Sequence, residues 1–325
     1  MSTSRLRTPV CDVLGIEIPI VQAGMSTLTS AELVAAVSNA GGLGVIGALG
    51  RSPDDLRDEI RRVRALTSKP FAVNHVLSQV NDECVSLTLD QRVPVLSLSW
   101  GRAADLTDRA HEAGLKVLHQ VNTPEEAGAV AAEGADVIVA QGSEGGGHVG
   151  PSMSTMALVP QAVDVVKPVP VIAAGGIADG RGLAAAIMLG AQGVLMGTRF
   201  LATIECHGRG HSKDVLLNSL GSQTVSSKFW DDVMGDVWPG AQVRTTRHPL
   251  IDQWARRPEE WQAASDEIRP GLQAAYNNGD VVLAGQGVGL IHEILPAAEV
   301  VKRIAVEADK CLSRFAGEAG GGAAG

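Results

Sequence analysis

Eight short runs of apolar, β-rich residues recur through the first two thirds of the chain, with helix-period stretches between them. They are Ile18–Ala23, Leu43–Ala48, Phe71–Leu77, Val93–Trp100, Lys116–Val121, Ala135–Gln141, Pro170–Gly175 and Gly193–Phe200. Several intervening helices carry their own start and stop signals. Thr29-Ser30-Ala31-Glu32 opens one with a capping-box pattern and Gly41 closes it. Ser52-Pro53-Asp54-Asp55 and Thr123-Pro124-Glu125-Glu126 place Pro where a missing N–H costs nothing and acids at the positive end of the helix. Asp179 caps another helix, which ends near Gly190.

Strands alternating with helices predict a parallel sheet, and eight strands close a (β/α)8 TIM barrel. An open doubly wound sheet is the alternative, but it rarely has eight strands so evenly spaced. Run starts lie 19 to 28 residues apart, except for an interval of 35 between Ala135 and Pro170. The surplus is a Gly/His loop plus Pro151–Thr155, and loops after barrel strands build active sites. Past Phe200 the alternation stops. Residues 213–289 read as a small, mainly helical insertion or cap without clear strand alternation. The barrel is expected over 1–212 together with 290–316, where Ile291–Phe315 forms a returning helix. Gly317–Gly325 reads as a disordered tail.

Composition narrows the function classes. Aromatic residues are few (one Tyr, four Phe, five Trp), which suits a core of aliphatic strands. The net charge of −9 comes with no basic cluster, which argues against a nucleic-acid partner. Cys11, Cys84, Cys206 and Cys311 are far apart and form no C-x-x-C pair, so neither a zinc site nor a disulfide framework is expected. The N-terminal stretch with Arg5 and Arg7 lacks an apolar signal core, and no apolar run reaches the roughly 18 residues of a membrane span. A cytoplasmic protein without membrane contact is expected. Ala- and Leu-rich helices make a homodimer plausible.

The chemistry concentrates at strand ends. Gln141-Gly-Ser-Glu-Gly-Gly-Gly-His148-Val-Gly150 holds five glycines and one histidine, which fits a flat ligand beneath a titratable ring. The bland alternative is a flexible, solvated loop. A Gly pair, Gly175-Gly176, follows the seventh strand and Gly197-Thr198 the eighth, where such barrels often bind phosphate. Asn74-His75, Ser99-Trp100 and His119-Gln120 end other strands, and amides there suit a heterocycle with carbonyl and N–H edges. Inward carboxylates are missing except Glu144, and no H-x-H or H-E-x-x-H occurs, so no metal is expected. Neither a dinucleotide fingerprint nor a P-loop is present.

Gln22-Ala-Gly24-Met25, Val139–His148, Ala173–Arg181, Met196–Phe200 and Ala284–Leu290, in that order, resemble the nitronate monooxygenase (2-nitropropane dioxygenase) family. That resemblance implies an FMN-dependent barrel, related to flavin enoyl-acyl-carrier-protein and NADH:quinone reductases. By it, Gly24 and Met25 line one flavin edge and Asn74 hydrogen-bonds the ring system. Gly147 flanks the ring, and Gly175, Gly176, Gly197 and Thr198 hold the phosphate. Gln120 stands where some relatives carry Lys, and a neutral amide stabilises a reduced flavin less than a cation does. His148 matches the family's catalytic histidine, which takes a proton from the substrate α-carbon or hydrogen-bonds the nitro oxygens. Trp100 would wall the pocket and Gln286 would approach the flavin's benzenoid end. His75 and His119 read mainly as packed core, Glu144 as solvated rather than as a group orienting His148, and Arg199 as a structural partner. The implied activity is oxidation of nitronates by O2 to carbonyl compound and nitrite. An NAD(P)H-dependent reductase of a quinone or enoyl thioester is the second reading, and a flavin-free sugar-phosphate barrel the third.

Overall fold

Each of the eight apolar runs contains a strand. The computed structural model describes residues 6–318. The strands are β1 (Ile20–Gln22), β2 (Gly44–Gly47), β3 (Phe71–Val76), β4 (Val95–Ser99), β5 (Lys116–Val121), β6 (Val137–Gln141), β7 (Gly147–Val149), β8 (Val171–Ala174), β9 (Val194–Met196), β10 (Thr224–Ser227) and β11 (Gln242–Thr246). Eight of them form one parallel sheet in the order β1-β9-β8-β6-β5-β4-β3-β2. A parallel bridge between Val21 and Leu43 brings the two edges together. The Gln22 side chain reinforces this seam: its Oε1 accepts from Val45 N at 3.0 Å and its Nε2 donates to Val45 O at 3.2 Å. The fold is a (β/α)8 TIM barrel with a small, mainly helical insertion.

Helices cover the sheet between strands: α1 (Pro9–Leu14), α2 (Ala31–Asn39), α3 (Pro53–Leu66), α4 (Asp82–Asp90), α5 (Ala104–Glu112), α6 (Pro124–Ala132), α7 (Thr155–Val166) and α8 (Gly180–Met188). The start signals act locally. Ser52 and Asp55 close a full capping box on α3, while Thr123 and Asp179 accept from backbone N–H groups of the first turns of α6 and α8. Ser30, rather than Thr29, caps α2, because its hydroxyl accepts from Leu33 N.

The barrel interior is filled by Val45, Ala72, Val95, Leu118, Val137 and Ile172, against which Val10, Cys11 and Leu14 of α1 pack. A larger apolar shell lies between sheet and helices and includes the last helix, numbered α15 below. The expected tail at 317–325 lies outside the described residues beyond 318, and its first two residues end that last helix.

After α9 (Thr198–Leu201) and α10 (Ser212–Asn218) the chain leaves the barrel through α11 (Phe229–Met234), α12 (Pro249–Trp254), α13 (Pro258–Ala263) and α14 (Ser265–Asn278), then returns through α15 (Ala297–Glu318). The insertion holds two strands that its polar sequence did not announce. β10 pairs antiparallel with β11, and β11 pairs antiparallel with β7 inside the Gly/His loop. This small sheet stitches the insertion to the barrel. Phe229, Val243, Trp261, Leu272 and Val281 give the insertion a core of its own.

Candidate active site

The loop after β6 is pinned along its length. Gly146 lies so close to Ala284 and Gly285 that a Cβ there would sit 2.3 Å from Gly285 N. Glu144 is neither solvated nor a partner of His148, which corrects the sequence reading. Its carboxylate accepts from Thr155 N at 2.9 and 3.0 Å and from Thr155 Oγ1 at 3.1 Å, tying the loop to the start of α7. Arg244 of β11 donates from Nε and Nη2 to Ser143 O at 3.1 and 3.0 Å. Burial pulls the Arg244 guanidinium below its ordinary value, with Glu144 opposing the shift. A flexible loop is therefore excluded at this position.

One cavity of about 400 Å³ opens over the C-terminal ends of the barrel strands, within the size range of a small-molecule site. Gly24, Met25, Asn74, Gln120, Gly147, His148, Gly175, Gly176, Gly197 and Thr198 all line it. Gly24 is needed for close approach, since a Cβ there would lie 2.7 Å from Asn74 Cβ. Asn74 Nδ2 faces Ser97 Oγ at 3.2 Å, which leaves its carbonyl oxygen available. Gln120 Nε2 donates to Gln141 Oε1 at 3.1 Å, and Asn122 Nδ2 holds the same oxygen at 3.0 Å. The Gln120 amide is thereby oriented by a chain of amides.

At the opposite end, Gly175 and Gly176 adopt φ of 100° and 71°, which side-chain-bearing residues rarely take. Among the described residues, the backbone N–H groups of Gly176, Gly197 and Thr198 have no protein acceptor. Thr198 Oγ1 accepts from Gly285 N at 3.0 Å, so its own proton is free to donate. A cluster of unused donors at the ends of β8 and β9 fits the phosphate of a mononucleotide cofactor.

His148 sits on β7 beneath an aromatic wall. The Trp238 ring stacks on the imidazole with centroids 3.5 Å apart and planes 14° apart, and Trp100 meets it edge-on at 6.3 Å. Trp100 lines the cavity and has φ of 59°, strain carried at a ligand-facing position. Nε2 of His148 lies 2.9 Å from Asp231 Oδ1 on α11. Burial, and next the Asp231 charge, raise the pKa of Asp236 nearby, opposed by His148.

The other candidates fall elsewhere. His75 is buried against Thr88 of α4 and pushed down by burial to about 4. His119 is buried with its Nε2 on Gly101 O, and neither histidine lines the cavity. Gln286 is exposed and lies outside the cavity lining, which its neighbours Gly285 and Gly287 enter instead. Arg199 is spent on the carbonyls of Ala202 and Glu293, at 2.7 and 2.9 Å. Cys206 lines the cavity, but burial pushes its thiol up to about 12, so it is no nucleophile near neutral pH.

Sequence reading missed Asp231, Trp238 and Arg244. All three come from the insertion, which the β7–β11 pairing joins to the loop of His148. The β-branched residues of Thr224–Ser227 and Gln242–Thr246 were the available signal.

Fold and cavity together define an α/β barrel with a small-molecule cavity over the C-terminal ends of its strands. More particularly, the chain belongs to the nitronate monooxygenase family, whose model matches residues 7–83 and 77–307. Members of that family are generally flavin-dependent. A Mycobacterium tuberculosis protein named (3aS,4S,5R,7aS)-5-hydroxy-7a-methyl-1-oxo-octahydro-1H-indene-4-carboxyl-CoA dehydrogenase is 46% identical over 203 residues, covering 61% of this chain and 57% of that relative. This chain thus spans less than two thirds of that relative's length. FabK from Thermotoga maritima superposes with a TM-score of 0.87 at 36% identity, over 96% of this chain and 99% of the other. Nitroalkane oxidase from Streptomyces ansochromogenes gives 0.81 at 30% identity, over 94% and 99%. Among the described residues no helix is long and apolar enough to cross a membrane.

Proposed function

We propose that the protein binds FMN and oxidises alkyl nitronates, and the nitroalkanes that ionise to them, with O2 to a carbonyl compound and nitrite. The observation that carries this reading is a pinned glycine loop holding His148 over the same cavity that ends in unused donors at Gly176, Gly197 and Thr198. FMN, when bound, supplies the one-electron and oxygen chemistry. The chain supplies position and proton handling. Gly176, Gly197 and Thr198 would take the phosphate, while Asn74 and Gln120 present amide groups to the ring system. His148 takes the proton from the α-carbon of a neutral nitroalkane. Trp100 and Trp238 wall the substrate side with apolar surface, which keeps water from the reacting carbon.

Anaerobic spectroscopy of the purified protein tests this. Propyl-2-nitronate is expected to bleach the bound flavin where NADH and NADPH do not, and air then restores the colour with release of nitrite. Bleaching by NADH or NADPH with no response to nitronate overturns it. That outcome would establish the second reading, an NAD(P)H-dependent reductase of a quinone or an enoyl thioester. Two observations favour a thioester: the CoA-directed name of the 46% identical relative, and Arg209 and His207 lining the cavity, where they suit an anionic tail.

A further inference from the structure

We infer that Asp231 is a positioning residue that holds a proton on Nε2 of His148, leaving Nδ1 as the nitrogen that does the acid–base work. This deepens the proposed function and rests on its reading of His148. Nε2 and Asp231 Oδ1 are 2.9 Å apart, with only 15% and 8% of the two side chains exposed. A carboxylate can only accept in that contact, so Nε2 donates. The neutral ring then carries its lone pair on Nδ1. That atom has no protein partner among the described residues, and it is absent from the buried polar atoms that lack one. It therefore keeps access to the cavity that His148 lines.

The rest of the surroundings leave the ring little freedom. Trp238 covers one face and Trp100 approaches edge-on, so rotation away from Asp231 would break the stack. Register pairs His148 with Val243 of β11, and Asp231 lies on α11, so the insertion supplies both the strand that aims the histidine and the carboxylate that orients it. In the step assigned to His148, the α-C–H bond of the nitroalkane breaks and its proton passes to Nδ1. The electron pair moves into the nitro group to give the nitronate. The ring is then charged, with N–H on both nitrogens, and Asp231 faces that charge across a short hydrogen bond.

A substrate that arrives already ionised needs no such step, and this separates positioning from general support of the fold. In the flavin-loaded enzyme, Asp231→Asn is expected to slow turnover of neutral nitroalkane by about tenfold and Asp231→Ala by about a hundredfold. Turnover of preformed propyl-2-nitronate should fall by less than about threefold in both. Asp231→Glu should restore part of the nitroalkane rate. Long-range ¹H–¹⁵N spectra of histidine-labelled protein, with His148→Gln to assign the resonance, should show Nε2 protonated and Nδ1 bare in the wild type. Equal losses on both substrates, or a proton on Nδ1 in the wild-type resting enzyme, would overturn the assignment. If the wild type turns over neither substrate, the proposed function fails, while the spectra still decide whether Asp231 fixes the ring. Asp231→Asn keeps the size and an acceptor oxygen, so the test survives if the alanine variant fails to fold.

Discussion

The barrel and the insertion answer the same problem, holding side chains over one cavity, in opposite ways. The barrel is built from contacts near in sequence: strands hand over to helices that fold back on them, several with a side-chain cap, and backbones approach until only glycine fits. The insertion is built from distant ones. His148 meets Asp231 across 83 residues, and Arg244 reaches Ser143 across 101. Helices α11 to α14 enclose their own small core, and β11 pairs that core with the barrel's Gly/His loop. The barrel presents the unused donors at the ends of β8 and β9, and a separately packed body supplies Trp238 and Asp231 around the His148 ring. The division lets pocket chemistry change without reworking the barrel frame.

The sharpest way to break that contrast is a side chain in one of the tightest barrel contacts. A Cβ at Gly44 of β2 would lie 2.2 Å from Val34 O and 2.7 Å from Val34 Cα, both backbone of α2. Neither element can yield without opening the strand ladder to β3. Gly44→Ala should cost about 3 kcal/mol or more. Chemical denaturation of the flavin-loaded protein checks this. A loss below about 1 kcal/mol would show that the frame is more compliant than its packing implies.

The same contrast explains what could be read in the chain. Periodicity and capping residues are local, so Ser52, Thr123 and Asp179 announced helices that form where expected, and all eight barrel strands fell inside their apolar runs. The ten cavity positions were named through the family resemblance; what the chain itself showed was glycines and polar residues at several strand ends, such as Asn74, Gly175 and Gly197. β10 and β11 were not legible, since Thr-Val-Ser-Ser and Gln-Val-Arg-Thr-Thr become strands only when β7 offers an edge. Glu144 was misread for a related reason: its partner is the start of a helix beyond the loop, and no spacing rule connects the two.

Acid should act on the barrel shell before it acts on the insertion. His75 is held near 4 by burial, and burial also lowers His119. A base with a depressed folded pKa takes up its proton more readily when unfolded, so the unfolded state gains protons first as pH falls. The contribution of His75 is whole above the unfolded value of about 6.5 and is lost progressively as pH falls toward 4. At most about 3 kcal/mol is at stake. His75→Gln retains a group able to reach Thr88 but cannot charge. Urea unfolding of wild type and variant between pH 7.5 and 4.5 should give curves that diverge below about 6.5, the variant being flatter. Parallel curves would mean that His75 is not held neutral in the folded protein.

The mildest test lies at the far side of the contrast, in the insertion's turn from Trp238 to Ala241, where Ala241 N donates to Trp238 O at 3.2 Å. Gly240 has φ of 74°, and a Cβ there would meet nothing within 4 Å. Only the backbone conformation resists a side chain, so Gly240→Ala should cost about 1 kcal/mol, well below Gly44→Ala. Its position two residues from Trp238 makes it a sensitive reporter of the aromatic wall. Should the strain be relieved by shifting that turn, Trp238 moves off His148, and tryptophan fluorescence together with nitroalkane turnover will change. Should the turn hold, stability falls slightly and both signals stay as in the wild type. The second outcome is expected, because Trp238 is fixed by its stack on His148 and by its edge contact with Trp100 at 5.8 Å, neither of which involves the turn.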